Sequence, residues 1–129
     1  MIVLDTHVWI WWLTKPDKLG KKAARAIDKA EKIGVPAICV WEVAMKVRAR
    51  KLKFDRPVET WVETALTEDA RLELLHLQPR ISIEAVRLSW DHSDPADRFI
   101  VATARAHDAV LLTADEEIAR SGLVRCVWD

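Results

Sequence analysis

Glycine is scarce in this chain, with three residues in 129, cysteine occurs twice and tyrosine is absent. So few glycines leave no glycine-rich phosphate loop, and there is no Gly-x-Ser-x-Gly segment to present a serine nucleophile. Cys39 and Cys126 lie in apolar stretches without a Cys-x-x-Cys spacing, so they read as small buried hydrophobes rather than as zinc ligands or a redox pair. No apolar run is long enough to span a bilayer. Met1–Asp5 has neither a basic leader nor a small-residue cleavage site, which points to a soluble, cytoplasmic protein. Excess charge is missing too: 20 basic and 20 acidic residues cancel, so contact with nucleic acid would have to come from a local patch.

What is present is enough for one continuous core. Half of the residues are hydrophobic, and a single domain spanning 1–129 is expected, with no repeat or linker. Ile2–Leu4 reads as a strand followed by a helix through Leu13, and Lys21–Lys32 as a helix stopped at Gly34. Val35–Val40 reads as a second strand, and its helix runs from Trp41 to about Ala49. A helix around Trp61 and a short strand at Leu72–Leu77 follow, then a helix capped by Ser82. Asp94-Pro95-Ala96-Asp97 is a strong helix start, with proline at the first helical position and a helix to about His107. Val110–Leu112, Asp115–Arg120 and Leu123–Trp128 complete the pattern as strand, short helix and strand. Apolar strands alternating with helices imply an α/β fold, an open parallel sheet flanked by helices on both faces, with its site beyond the carboxyl ends of the strands.

Four acidic residues fall on that edge. Asp5 follows the first strand, Glu42 begins the helix after the second, Asp97 lies in the first turn of a helix, and Asp115 comes just after Leu112. Carboxylates converging from four segments repel one another unless a cation neutralises them, and hard oxygen donors favour Mg2+ or Mn2+. Such a site suits hydrolysis of a phosphodiester by activated water. Each residue also has a plainer role available: Asp5 as a helix cap, Glu42 as an ion-pair partner of Lys46, Asp97 as an extension of the Asp94 cap. Asp94 itself is taken as a cap, Thr113 as a support for Asp115, and His7 and His92 as bystanders that an oxygen-ligand site does not need. The basic run Lys46, Arg48, Arg50, Lys51, Lys53 and Arg56 is either an RNA phosphate track or a solvated face. Trp9 and Trp12 share a helix face and should pack in the core, while Trp11 points elsewhere and, if exposed, would mark a partner surface.

Leu4-Asp5-Thr6-His7 with Trp11-Trp12-Leu13, then Val40 to Lys46, His92 to Arg98, and Leu112-Thr113-Ala114-Asp115 stand in order along the chain. Together they resemble the PIN-domain ribonucleases, specifically the VapC-type toxins of toxin–antitoxin systems, over essentially the whole length. The resemblance implies that Asp5, Glu42, Asp97 and Asp115 bind magnesium or manganese and catalyse RNA cleavage. It also implies a cognate antitoxin partner and a homodimer. One position departs: the family usually has a small hydroxyl residue where this chain has Cys39, which would weaken activity. The rivals are a catalytically dead PIN-like binding module and a housekeeping nuclease without antitoxin. An aspartyl-phosphate hydrolase is disfavoured because its second aspartate would stand at position 7, which is His7.

Overall fold

A computed structural model describes all residues from Met1 to Asp129. Five parallel strands, β1 (Ile2–Leu4), β2 (Ile33–Pro36), β3 (Leu72–Leu75), β4 (Val110–Leu112) and β5 (Cys126–Val127), form one sheet in the order β3-β2-β1-β4-β5. Seven helices flank it: α1 (Thr6–Thr14), α2 (Lys21–Lys29), α3 (Ala37–Arg48), α4 (Val58–Thr67), α5 (Pro79–Arg87), α6 (Pro95–Ala106) and α7 (Glu116–Arg120). Because β2 and β3 extend one side of β1 while β4 and β5 extend the other, chain order reverses between β1 and β4. Crevices open at such a reversal, on the carboxyl side of the sheet. The central strands are apolar runs because both faces are covered: Val3, Leu4, Leu111 and Leu112 are fully buried.

Several boundaries differ from the sequence reading. β2 is Ile33–Pro36 rather than Val35–Val40, and α2 ends at Lys29, so Gly34 lies inside a strand instead of stopping a helix. Glycine is needed there for space: a Cβ would come 2.6 Å from Leu75 Cδ1 on β3. Ala37–Val40 forms the first turn of α3, which places Glu42 in the second turn rather than at the helix start. That apolar stretch carries no period to distinguish strand from buried helix. α5 begins at Pro79 after Gln78, not at Ser82; proline preset for a first helical turn outweighs the better capping side chain three residues on.

The segment between α5 and α6 is held by one side chain. Arg98 donates from Nε to Ala85 O at 2.9 Å, from Nη1 to Trp90 O and His92 O at 2.8 and 3.0 Å, and from Nη2 to Val86 O and Leu88 O at 3.1 and 2.9 Å. The guanidinium thus satisfies carbonyls at the α5 carboxyl end, which that helix leaves without internal partners, and fixes the loop leading into α6. Trp9 is fully buried and packs on Trp61 with ring centroids 5.3 Å apart, and Phe54 stacks on the same Trp61 at 4.2 Å.

Candidate active site

Asp5 is placed by the sheet itself. Its amide donates to Leu112 O on β4 at 3.0 Å, which ties the end of β1 to the end of β4. Its carboxylate is almost fully buried, accepts the Thr6 amide proton at 2.8 Å as the α1 cap, and accepts the Thr113 hydroxyl proton at 2.6 Å. Thr113 in turn accepts from the Asp115 amide at 3.0 Å, so one hydroxyl links the two acidic positions. Asp115 caps α7, its Oδ1 accepting from the Glu117 and Ile118 amides at 2.8 and 3.3 Å. His7 adds a second link: Nε2 accepts the Ala114 amide proton at 3.0 Å, which leaves the ring proton on Nδ1, 3.5 Å from Asp5 Oδ2.

Glu42 and Asp97 are held differently. The buried Thr6 hydroxyl donates to Glu42 Oε1, and this is a partner that the sequence did not reveal. Burial pushes the Glu42 carboxyl above the ordinary glutamate range; the charges of Asp5 and Asp94 add to the rise, and Thr6 and Lys46 oppose it. Asp97, in the first turn of α6, is pushed up to about 6, first by burial and then by Asp5, Asp94 and Asp115, against a bond to His92. His92 Nε2 lies 2.6 Å from Asp97 Oδ2 and its Nδ1 2.7 Å from Glu117 Oε2. The bond to Asp97 raises the His92 imidazole above its ordinary value, so His92 is no bystander. Asp94 caps α6 as expected, accepting from Ala96 N at 3.0 Å, yet ligating atoms of His92, Asp94 and Asp97 also lie within 4.8 Å of one another.

The four acidic residues lie along this edge within electrostatic reach of one another, while the tight group of ligating atoms, His92, Asp94 and Asp97, holds one of the four. Asp97 is influenced by Asp5 and Asp115, Glu42 by Asp5, and the buried Cys39 thiol, raised chiefly by its burial, by Asp5, Glu42 and Asp97 together. Cys39 lies beneath the cluster with Sγ 3.9 Å from Leu4 O. Trp11 is half-buried rather than free, tilted against His7 at 5.0 Å and Trp128 at 5.9 Å, with Lys18 Nζ 5.4 Å from its ring centre. The exposed tryptophan is Trp41, beside Glu42, at 52%. The basic run starts one turn beyond Glu42 at Lys46, although Arg56 at its far end is engaged by Asp55 at 2.9 Å.

Solved structures share this architecture. VapBC-1 from nontypeable Haemophilus influenzae matches with a TM-score of 0.71 at 17% identity, covering 98% of this chain and 97% of that one. VapBC2 from Rickettsia felis, bound to a promoter DNA fragment, matches with a TM-score of 0.70 at 20% identity over 100% of both chains. At those identities the likeness establishes the fold. In sequence, Ribonuclease VapC22 of Mycobacterium tuberculosis is 35% identical over 118 residues, which is 91% of this chain and 88% of the relative. The PIN domain family model matches residues 2–122, so it spans every element that carries the acidic cluster, from β1 to α7. With that match and that relative, the chain belongs to the PIN domain family.

Proposed function

We propose that this protein is a divalent-metal-dependent ribonuclease and the toxin of a toxin–antitoxin pair, with Asp5, Glu42, Asp97 and Asp115 as its metal-binding and catalytic residues. The observation that carries the reading is the gathering of four carboxylates along the edge at the β1/β4 reversal, two of them, Glu42 and Asp97, held above their ordinary range by burial and by the charges of Asp5 and Asp94. The donor set fits magnesium or manganese, since it is all oxygen and its mutual repulsion is what a cation relieves. A bound ion would orient the scissile phosphate, acidify the attacking water and stabilise the leaving oxygen.

The chain's own residues supply the geometry. The Thr6 amide and Thr113 hydroxyl fix both oxygens of Asp5, the Thr6 hydroxyl fixes Glu42, and His92 fixes Asp97. Asp115 Oδ1 accepts two amide protons from the start of α7, which fixes the carboxylate at the end of that helix. Lys46, Arg48, Arg50, Lys51 and Lys53 are available to RNA phosphates, whereas Arg56 is paired with Asp55. The solved neighbours named as VapBC assemblies support an antitoxin partner for this chain, and a homodimer working in the cytoplasm belongs to the same proposal. No helix is long and apolar enough to cross a membrane.

Purified protein should cleave RNA with Mg2+ or Mn2+ present and stop on full chelation; cleavage that survives chelation excludes the mechanism. Expression alone should arrest growth, and co-expression of the adjacent small gene should lift the arrest. Normal growth with abundant soluble protein would remove the toxin assignment.

A further inference from the structure

Past Asp97 the carboxyl edge opens into a cavity of about 580 Å3. Trp90, His92 and Ser93, from the segment clasped by Arg98, form one wall, and Glu117, Arg120 and Ser121 of α7 and its end form the other. The cavity is joined to two of the four carboxylates through its walls: His92 is bonded to Asp97, and Asp115 caps the helix that forms the second wall. Its volume is that of a small-ligand site, but Trp90 is its only hydrophobic lining residue, so an apolar ligand does not suit it.

Its groups match the parts of a nucleotide. Trp90 is half-buried and braced against the His92 ring, with centroids 4.6 Å apart and planes tilted by 33°, which keeps an indole at the wall as a stacking surface for a base. Arg120 is exposed and makes no ion pair or hydrogen bond within the fold, leaving a planar cation for a phosphate. Glu117 gives Oε2 to His92 and has no fold partner for its other oxygen, which can accept from an exocyclic amino group. Uracil has no such group; cytosine does.

We propose that this cavity holds the nucleotide adjoining the scissile bond of single-stranded RNA, with the base stacked on Trp90, its phosphate on Arg120 and an amino-bearing edge on Glu117, so that cytosine is preferred to uracil there. This rests on the ribonuclease reading for its place in the reaction, but binding tests it separately. Fluorescein-labelled oligocytidylate and oligouridylate of equal length are titrated against the whole protein by anisotropy. Wild type should bind the cytidylate several-fold more tightly. Trp90→Ala should weaken that binding roughly tenfold, as loss of one base stack does, and Trp90→Phe should restore most of it. Arg120→Ala should weaken both oligomers alike, and Glu117→Gln should erase the difference between them while keeping an acceptor for His92. Equal affinities in wild type, or a preference untouched by Trp90→Ala and Glu117→Gln, would overturn the subsite. In parallel, sequencing the ends cut from a random RNA pool should show uracil depleted at this position relative to the amino-bearing bases in wild type, and that depletion lost in Glu117→Gln. If wild type cuts nothing, the nuclease reading fails while the binding result still decides the cavity.

Discussion

Asp5 and Asp115 close the central strands β1 and β4 and accept backbone amide protons from the helices that follow them, whereas Glu42 and Asp97 project from within α3 and α6 and accept only from side chains. The first pair would be useful to any sheet of this topology, because it satisfies the exposed amides of two helix starts. The second pair contributes nothing to secondary structure and carries the cost of burial and like charge, visible in the raised Glu42 and Asp97 carboxyls. Charge at the two pairs thus serves different ends: Asp5 and Asp115 support the fold as well as the proposed chemistry, while for Glu42 and Asp97 the proposed chemistry is the only use.

The largest expected effect separates the pairs by stability. Asp5→Ala leaves the Thr6 amide and Thr113 hydroxyl as buried donors without an acceptor, and should cost about 3 kcal/mol in urea unfolding. Asp97→Asn keeps the shape, and because Asp94 rather than Asp97 caps α6, the metal-free variant should be as stable as wild type or more so. Both should lose RNA cleavage. A loss of stability at Asp97→Asn equal to that at Asp5→Ala would break the comparison.

The next effect is a pH dependence. Asp97 binds its proton more tightly in the folded chain, at about 6 against an ordinary 3.8, so between these values the native state holds more protons than the unfolded one. Stability without metal should therefore rise as pH falls from 7.5 toward 4.5, by about 1 to 2 kcal/mol once nearby solvent is allowed for. The raised Glu42 and His92 act in the same direction. Thermal melts in chelator should show the rise, Asp97→Asn should flatten it, and added magnesium should reverse it, because the cation competes with protons for the same oxygens. An identical profile in the variant would mean that Asp97 is not the strained group.

The smallest effect concerns Cys39. A thiol in place of the usual hydroxyl suggests weak activity, but Glu42 already takes a hydroxyl proton from Thr6, on another helix. Cys39→Ser should change stability by less than about 1 kcal/mol and cleavage by less than about threefold. A large gain in activity would show that Thr6 does not fill the role.

The sheet and the four acidic positions were legible because each strand is a short apolar run and Asp5, Asp97 and Asp115 stand at element boundaries that local chemistry marks. Glu42 was identified but placed a turn too early, since Ala37–Val40 is apolar on every side and buried helix and strand look alike over four residues. The Thr6–Glu42 and His92–Asp97–Glu117 contacts were not legible at all. Thr6–Glu42 and His92–Glu117 join segments that become neighbours only through the order of strands, which no local pattern encodes, and His92–Asp97, though only five residues apart, depends on the path of the irregular segment before α6. His92 was read as a bystander that an oxygen-ligand site does not need, whereas it is bonded to two carboxylates.

The five carbonyls gripped by Arg98 have one property in common: all belong to the main chain, and the grip is indifferent to the side chains attached there. Ser89, Trp90, Asp91 and Ser93 can therefore be exchanged while the path of the segment stays in register, provided that Leu88 keeps its place in the core and His92 its bond to Asp97. If the neighbouring cavity reads a base as proposed, its preference can change at these positions without rebuilding the carboxylates beside it. Exchanging Ser89, Trp90, Asp91 and Ser93 for other residues while His92 and Arg98 are retained should change sequence preference and leave the fold intact.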